Sequence, residues 1–165
     1  MVKNSESPES DVLAQIPGGL FILAAQYEGI RGAMLVKWMQ QCSDAPPMVM
    51  VALPKGQPIE QLIHGSQCFT LCQISADDRF LLRKFQHSFL GNDDPLVSMM
   101  TTTAPSGSPI IDRAMNCMDC TIVRHVELDA DYRIYVGQVQ FSAVLNRGTP
   151  AVCYGGNGLA NTTPQ

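Results

Sequence analysis

Short apolar runs cut by glycine, proline and aspartate dominate this chain, with little sustained helical periodicity. Residues 20–25 follow the break at Pro17-Gly18-Gly19 and read as a buried strand. The polar stretch Tyr27-Glu28-Gly29-Ile30-Arg31-Gly32 makes a natural hairpin connection. Residues 33–42 read as a second extended segment, although their Met and Gln content leaves a helix open. Trp38 is expected to pack there in the core or at an interface. Asp44-Ala45-Pro46-Pro47 stops the segment, because paired prolines favour extended backbone over helix. Residues 48–53 have the composition of a fully buried strand, and Pro54-Lys55-Gly56-Gln57-Pro58 follows as a tight loop.

Ile59, Leu62 and Ile63 stand at helical spacing and Gly65 follows, which predicts a short helix over 59–64. Residues 68–74 return to strand composition. Residues 77–85 predict a second helix, with aspartates at its start and basic residues near its end, as the helix dipole favours. Residues 91–109, rich in Asp, Pro, Ser, Thr and Gly, read as a long surface loop with one short strand. The β-branched stretches 120–128 and 132–144, joined by Asp129-Ala130-Asp131, read as a hairpin. Six or so strands with two or three short helices favour a mainly β fold, an antiparallel barrel closed or nearly closed, over an α/β sheet. Residues 1–15 read as a disordered lead-in, 16–156 as the domain and 157–165 as a loose tail.

Charge narrows the partners. The chain has 165 residues, 11 Lys and Arg, and a formal net charge of −4. Its scattered basic residues form no stripe for a phosphate backbone, so no nucleic-acid partner is expected. No apolar run is long enough to span a bilayer, and the start lacks a secretory pattern, so neither a membrane nor export is expected. The cytoplasm fits best, and there the six cysteines should stay reduced. Only 16% of residues are charged, which leaves room for an apolar subunit interface.

Standard catalytic motifs are absent: no P-loop, no dinucleotide fingerprint, no His-Glu-x-x-His and no Gly-x-Ser-x-Gly. His64, His87 and His125 are dispersed along the chain. Cys117-Met118-Asp119-Cys120 is a Cys-x-x-Cys, and Cys68 and Cys72 could complete four thiols for zinc. The pair enters a strand rather than a helix, however, so buried structural thiols and no metal site are expected. Lys37, in an otherwise uncharged strand, needs solvent or an anion. The Lys55-Gly56-Gln57 loop before a helix start suits a phosphate.

In order along the chain stand Ile16-Pro17-Gly18-Gly19-Leu20-Phe21, Gly32-Ala33-Met34-Leu35-Val36-Lys37-Trp38 and Gln41-Cys42-Ser43-Asp44-Ala45-Pro46-Pro47. Lys55-Gly56, Phe69, Lys84-Phe85, Gly107-Ser108-Pro109 and Val136-Gly137-Gln138-Val139 follow. This series, over residues 16–156, resembles the flavin reductase-like, FMN-binding split β-barrel family. The resemblance implies a Greek-key-like split barrel holding FMN, with FAD as the alternative, at or near a homodimer interface. It places the isoalloxazine against Met34, Leu35, Val36 and Lys37, with Gln41, Cys42 and Ser43 contributing. Lys55, Gly56 and Gln57 fall on the phosphate side. It implies hydride transfer from NAD(P)H to flavin, then onward to free flavin, oxygen or a redox partner protein, with no side chain needed as acid or base. An FMN-binding electron relay without NAD(P)H oxidation is the alternative. Leu35 and Lys37 stand where hydroxyl residues are usual. Ala130-Asp131-Tyr132 replaces a Gly-Asp-His turn whose histidine is associated with nicotinamide, which puts Tyr132 on the nicotinamide side. The resemblance therefore carries flavin binding further than NAD(P)H oxidation.

Overall fold

A computed structural model describes residues 12–87 and 93–154. The expected lead-in as far as residue 11 and the tail at 157–165 lie outside them. The structure is mainly β. Its strands are β1 (Pro17–Gly19), β2 (Phe21–Tyr27), β3 (Ile30–Val36), β4 (Met39–Asp44), β5 (Pro47–Pro54), β6 (Cys68–Gln73), β7 (Thr101–Thr103), β8 (Pro109–Ile111), β9 (Asn116–Glu127), β10 (Tyr132–Val144) and β11 (Val152–Tyr154). Helices α1 (Ile59–Ser66) and α2 (Arg79–Phe85) stand among them in the described residues. Seven strands form one antiparallel sheet in the order β3-β2-β6-β9-β10-β5-β4, and β1-β11 and β7-β8 form separate ribbons. The two ends of the large sheet, β3 and β4, are consecutive in the chain and joined only through Lys37 and Trp38. The sheet thus curls into a barrel whose split lies beside that joint.

Strand β2 explains its own uninterrupted apolar run. Phe21, Leu23 and Ala25 join the cluster of Val49, Val51, Leu53, Phe69 and Tyr135, whereas Ile22 and Ala24 pack in a second layer with Leu81, Leu96 and Ile111. A strand buried on both faces cannot alternate with polar residues, and each fully buried large apolar side chain contributes ~1.5–3 kcal/mol. Strand β5 differs from its expectation. Val49, Val51 and Leu53 are buried, but Met50 points outward and is exposed. Met50 lies opposite Val136, and Ile134 lies between Ala52 and Val126, so the outer sheet face is also apolar.

Four other elements depart from the pattern. The extended segment at 33–42 breaks at Lys37 and Trp38, where the backbone crosses from one edge of the sheet to the other. Gly65 does not end α1 but lies within it, because a β-carbon there would fall 2.4 Å from the Tyr27 ring. The helix ends instead at Gln67, left-handed at φ 57°, whose N–H donates to the Ile63 carbonyl at 2.8 Å. Helix α2 begins at Arg79, with Asp78 as its cap: the Asp78 carboxylate accepts from the Leu81 N–H at 3.0 Å. The expected surface loop, as far as it is described, is partly buried. Leu96 and Ala104 enter the core, and β7 pairs with β8. Gly91 and Asn92 lie outside the described residues.

Candidate functional site

The split opens into a cleft of about 570 Å³, inside the ~300–1,000 Å³ range of small-molecule and cofactor sites. One wall is β3, from Ile30 to Val36, continued by Lys37 and Trp38. The other is built from Ala52 and Pro54 of β5, Gln57, Pro58 and α1, and Tyr132 of β10; Phe85, His87 and Pro95 form the third side. Among the described residues β3 pairs only with β2. Tyr27 and Ile30 flank a two-residue turn, so alternate residues of β3 bond to β2. The residues between them, Arg31, Ala33 and Leu35, therefore direct their N–H and C=O groups away from the sheet, toward the split. A strand edge of this kind is a row of donors and acceptors that seeks partners.

Two aromatic rings meet where the walls converge. Trp38 and Tyr132 lie with centroids 4.6 Å apart and planes inclined at 45°. Trp38 is half exposed, so of the core and the interface expected for it the core does not hold it. Burial, helped by the neighbouring Asp131 charge, holds the Tyr132 phenol above its ordinary pKa. Arg31 on the β3 wall carries a cation, but Asp94 accepts two of its N–H groups and Thr101 Oγ1 a third at 3.2 Å. That clamp fastens the 93–103 segment against the cleft.

The loop expected to receive a phosphate has partners of its own. Lys55 Nζ lies 2.7 Å from the Glu127 carboxylate and donates to the Leu128 carbonyl at 2.5 Å. The Gly56 N–H donates to Glu60 Oε2 at 2.8 Å. Glu60, only 7% exposed, also accepts from Arg133 Nη1 at 2.7 Å and from the Tyr135 hydroxyl at 2.9 Å. The Glu60 carboxylate thus takes the place near the start of α1 that an external anion would take. His64 lies 3.1 Å from the Tyr135 hydroxyl, and its ring is 5.7 Å from that of His125, so two of the three dispersed histidines come together.

Of the residues expected at the site, Met34, Leu35, Val36, Lys37, Gln57 and Tyr132 line this cleft together. Lys55 and Gly56 stand beside it but turn to the carboxylates just described. Gln41, Cys42 and Ser43 lie along β4 and do not line it. Trp38, Arg31, Phe85 and Gln61 line it without having been anticipated. The only signal in the sequence was Trp38 itself, the sole tryptophan, directly after the expected wall. Cys117 and Cys120, three apart on β9, go to opposite faces: Cys117 lies opposite Cys72 in one core layer, and Cys120 packs in the other. Burial pushes the Cys72 and Cys120 thiols up to about 12. No cluster of three or more His, Cys, Asp or Glu suited to a metal ion occurs among the described residues, nor does a helix long and apolar enough to cross a membrane.

A split barrel with a ligand-sized cleft along its open edge defines the class, and sequence comparison identifies the family within it. Residues 13–160 match the flavin reductase like domain, and the chain belongs to that family. A diflavin flavoprotein from Synechocystis is 31% identical over 138 residues, covering 81% of this chain and 24% of that protein. A relative from Thermosynechococcus vestitus is 32% identical over 138 residues, with the same coverage of 81% and 24%. The chain thus spans about a quarter of the length of the curated relatives it matches. Among solved structures, an NADH:FAD oxidoreductase from Streptomyces globisporus superposes with a TM-score of 0.81 at 19% identity, over 95% of this chain and 96% of that one. The flavin reductase of a Pseudomonas putida styrene monooxygenase gives 0.75 at 20% identity, over 90% and 93%. At these identities the superpositions establish the fold.

Proposed function

We propose that the cleft holds FMN and that the chain passes hydride from NAD(P)H to it, as a homodimer. The observation that carries this reading is the outward edge of β3, facing a cleft of about 570 Å³. A planar heterocycle with donors and acceptors along its rim fits such an edge, and the cleft is large enough to take it. When bound, FMN would supply the hydride-accepting ring, which side chains cannot provide. In this reading the segment Met34, Leu35, Val36 and Lys37 forms the wall against the ring: the outward N–H and C=O of Leu35 meet its rim, and the Met34 and Leu35 side chains, on opposite faces of β3, pack into the two core layers. Lys37 places a cation where negative charge on a ring or phosphate is stabilised, and Gln57 holds the opposite wall. Lys55 and Gly56 shape that wall rather than bind the phosphate, since Glu127 and Glu60 engage them. Gln41, Cys42 and Ser43 would contribute only across the homodimer, for which the apolar outer face around Met50, Val136 and Val126 offers a surface. FAD is the alternative flavin, as in the Streptomyces globisporus relative's name. Six free cysteines accord with the reducing cytoplasm.

A second reading, an FMN-binding electron relay without NAD(P)H oxidation, is favoured by Tyr132 in place of the expected histidine. The relatives' name, diflavin flavoprotein, and their greater length accord with a domain that hands electrons to another centre. Anaerobic mixing of FMN-loaded protein with NADH and with NADPH tests both. Rapid bleaching of the flavin band supports the reductase; bleaching by dithionite alone supports the relay. A protein that neither carries a flavin band nor quenches added FMN or FAD fluorescence refutes both. Lys37→Ala should weaken FMN binding or shift its reduction potential, and unchanged values for both would remove Lys37 from the site. Light scattering on the eluting protein decides the dimer.

A further inference from the structure

Glu60 and His64 stand one helical turn apart on α1, so both leave the same face of the helix, toward β10. The hydroxyl of the buried Tyr135 lies between them, 2.9 Å from Glu60 Oε1 and 3.1 Å from His64 Nε2. A phenol has one hydrogen to give. With that hydrogen donated to Glu60, His64 donates to Tyr135 through Nε2–H, and its Nδ1 is left to take a further proton. His125, directly across from Tyr135 on β9, brings a second imidazole to within 5.7 Å of the first. Both histidines are exposed. At the far end of the relay Glu60 Oε2 accepts from the Gly56 N–H at 2.8 Å, beside Gln57 and Pro58 of the cleft wall.

We infer that the His64–Tyr135–Glu60 relay makes the α1 wall of the cleft proton-sensitive: a proton taken up by His64 tightens the wall and raises the cleft's affinity for its ligand. Histidine is the side chain that changes charge between about pH 5 and pH 8. Protonation turns a neutral donor into a cationic one, and such hydrogen bonds are shorter and stronger. The polarised Tyr135 O–H then holds Glu60 more firmly, and Glu60 holds Gly56. Burial and the Glu60 carboxylate keep the Tyr135 phenol above its ordinary pKa against the pull of Arg133, so it stays a donor throughout. Lys55 and Arg133 are matched by Glu127 and Glu60, so the proton enters a neutral neighbourhood. His64 also stands in the last turn of α1, where the helix dipole favours a cation. A second proton, on His125, meets that charge 5.7 Å away and Arg133 beyond Tyr135, so the step is a single one. From the other elements against α1, β2 adds only the Tyr27 phenol over Gly65 and β6 only thiols, while Arg31 of β3 is engaged by Asp94. By linkage, a ligand that needs the wall in place takes up a proton as it binds. The nature of that ligand rests on the flavin reading above; the response of the wall does not.

Hydrogen exchange at Gly56 in the ligand-free protein, corrected for the intrinsic effect of pH on exchange, reads the wall directly. Its protection should rise about fivefold in wild type between about pH 8 and pH 6, a modest coupling between sites. His64→Gln should match wild type at the alkaline end and show no rise, whereas His125→Gln should keep the rise. Tyr135→Phe should be flat as well, and His64→Gln carries the test if Tyr135→Phe does not fold. Riboflavin is the ligand probe, because the phosphate of FMN itself gains a proton near about pH 6. Its affinity should follow the same profile, about fivefold tighter at the acid end in wild type and level in His64→Gln. A flat Gly56 profile in wild type, or a rise that persists in His64→Gln, overturns the inference and leaves the flavin reading standing. Riboflavin affinity indifferent to pH while Gly56 responds also overturns it, because the relay then ends short of the cleft. If no flavin binds at any pH, the flavin reading falls and the Gly56 profile alone decides the inference.

Discussion

Gly18 on β1 lies under the carbonyl of Lys37, so close that a β-carbon on Gly18 would stand 2.6 Å from that oxygen. The neighbour is backbone and cannot rotate aside. Gly18→Ala should therefore push the Lys37–Trp38 joint away from the β1-β11 ribbon, costing ~1–3 kcal/mol of stability as overpacking does. Urea denaturation would measure the loss, and a change in Trp38 emission in the folded protein would report the displaced joint. Wild-type stability and emission would show that β1 simply moves.

Thiol reactivity should divide the six cysteines by depth. Cys42 is exposed, whereas Cys72, Cys117, Cys120 and Cys153 are buried, and burial holds Cys72 and Cys120 near 12. Thiolate is the reactive form. A colorimetric thiol reagent on native protein at neutral pH should titrate one group fast, with Cys68 slower, and the other four only after denaturation. Fast modification of Cys72 or Cys120 would contradict their placement.

Glu127 should stay ionised far into acid. Hydrogen bonds from Arg133 and then Lys55 lower its pKa from 4.5 to about 2. A folded pKa below the unfolded one stabilises the protein fully above about 4.5, and that contribution fades as pH falls toward 2. Glu127→Gln should thus be less stable than wild type at neutral pH, with the gap closing over that interval. Denaturation at several pH values would show the convergence, and a gap independent of pH would exclude the pairing.

Removal of the buried Glu60 carboxylate should loosen the cleft wall. Glu60→Ala leaves the Gly56 N–H without its acceptor, leaves the Tyr135 hydroxyl only the His64 ring to donate to, and deprives Arg133 of one of two carboxylates. The cost should be ~1–3 kcal/mol, the penalty of stranded buried polar groups. Hydrogen exchange at Gly56 should accelerate more than in the β9-β10 ladder.

Much of the architecture was legible because it is written in local pattern. The doubly buried run of β2, its hairpin to β3 and the β9-β10 pair all follow from periodicity and turn residues. The placing of a ligand wall on β3 came instead from the resemblance of an ordered series of motifs to a family. What escaped were relationships between distant residues. Lys55 and Gly56 have the composition of an anion loop, and their neutralisation depends on Glu127, reached across 72 positions, and on how α1 folds Glu60 back. The exposure of Met50 and Trp38 likewise depends on which face of the sheet each occupies, which an apolar run does not reveal.

The joint at Lys37 and Trp38 has a mechanical meaning. A barrel zipped all the way round by ladder hydrogen bonds must break some of them to admit a guest. Here the seam is covalent at one end and unzipped along its length. A guest lying along the split takes nothing from the ladders of the seven-stranded sheet, because β3 and β4 share none. Occupation of the cleft is thus separated from the hydrogen bonds that hold the sheet together.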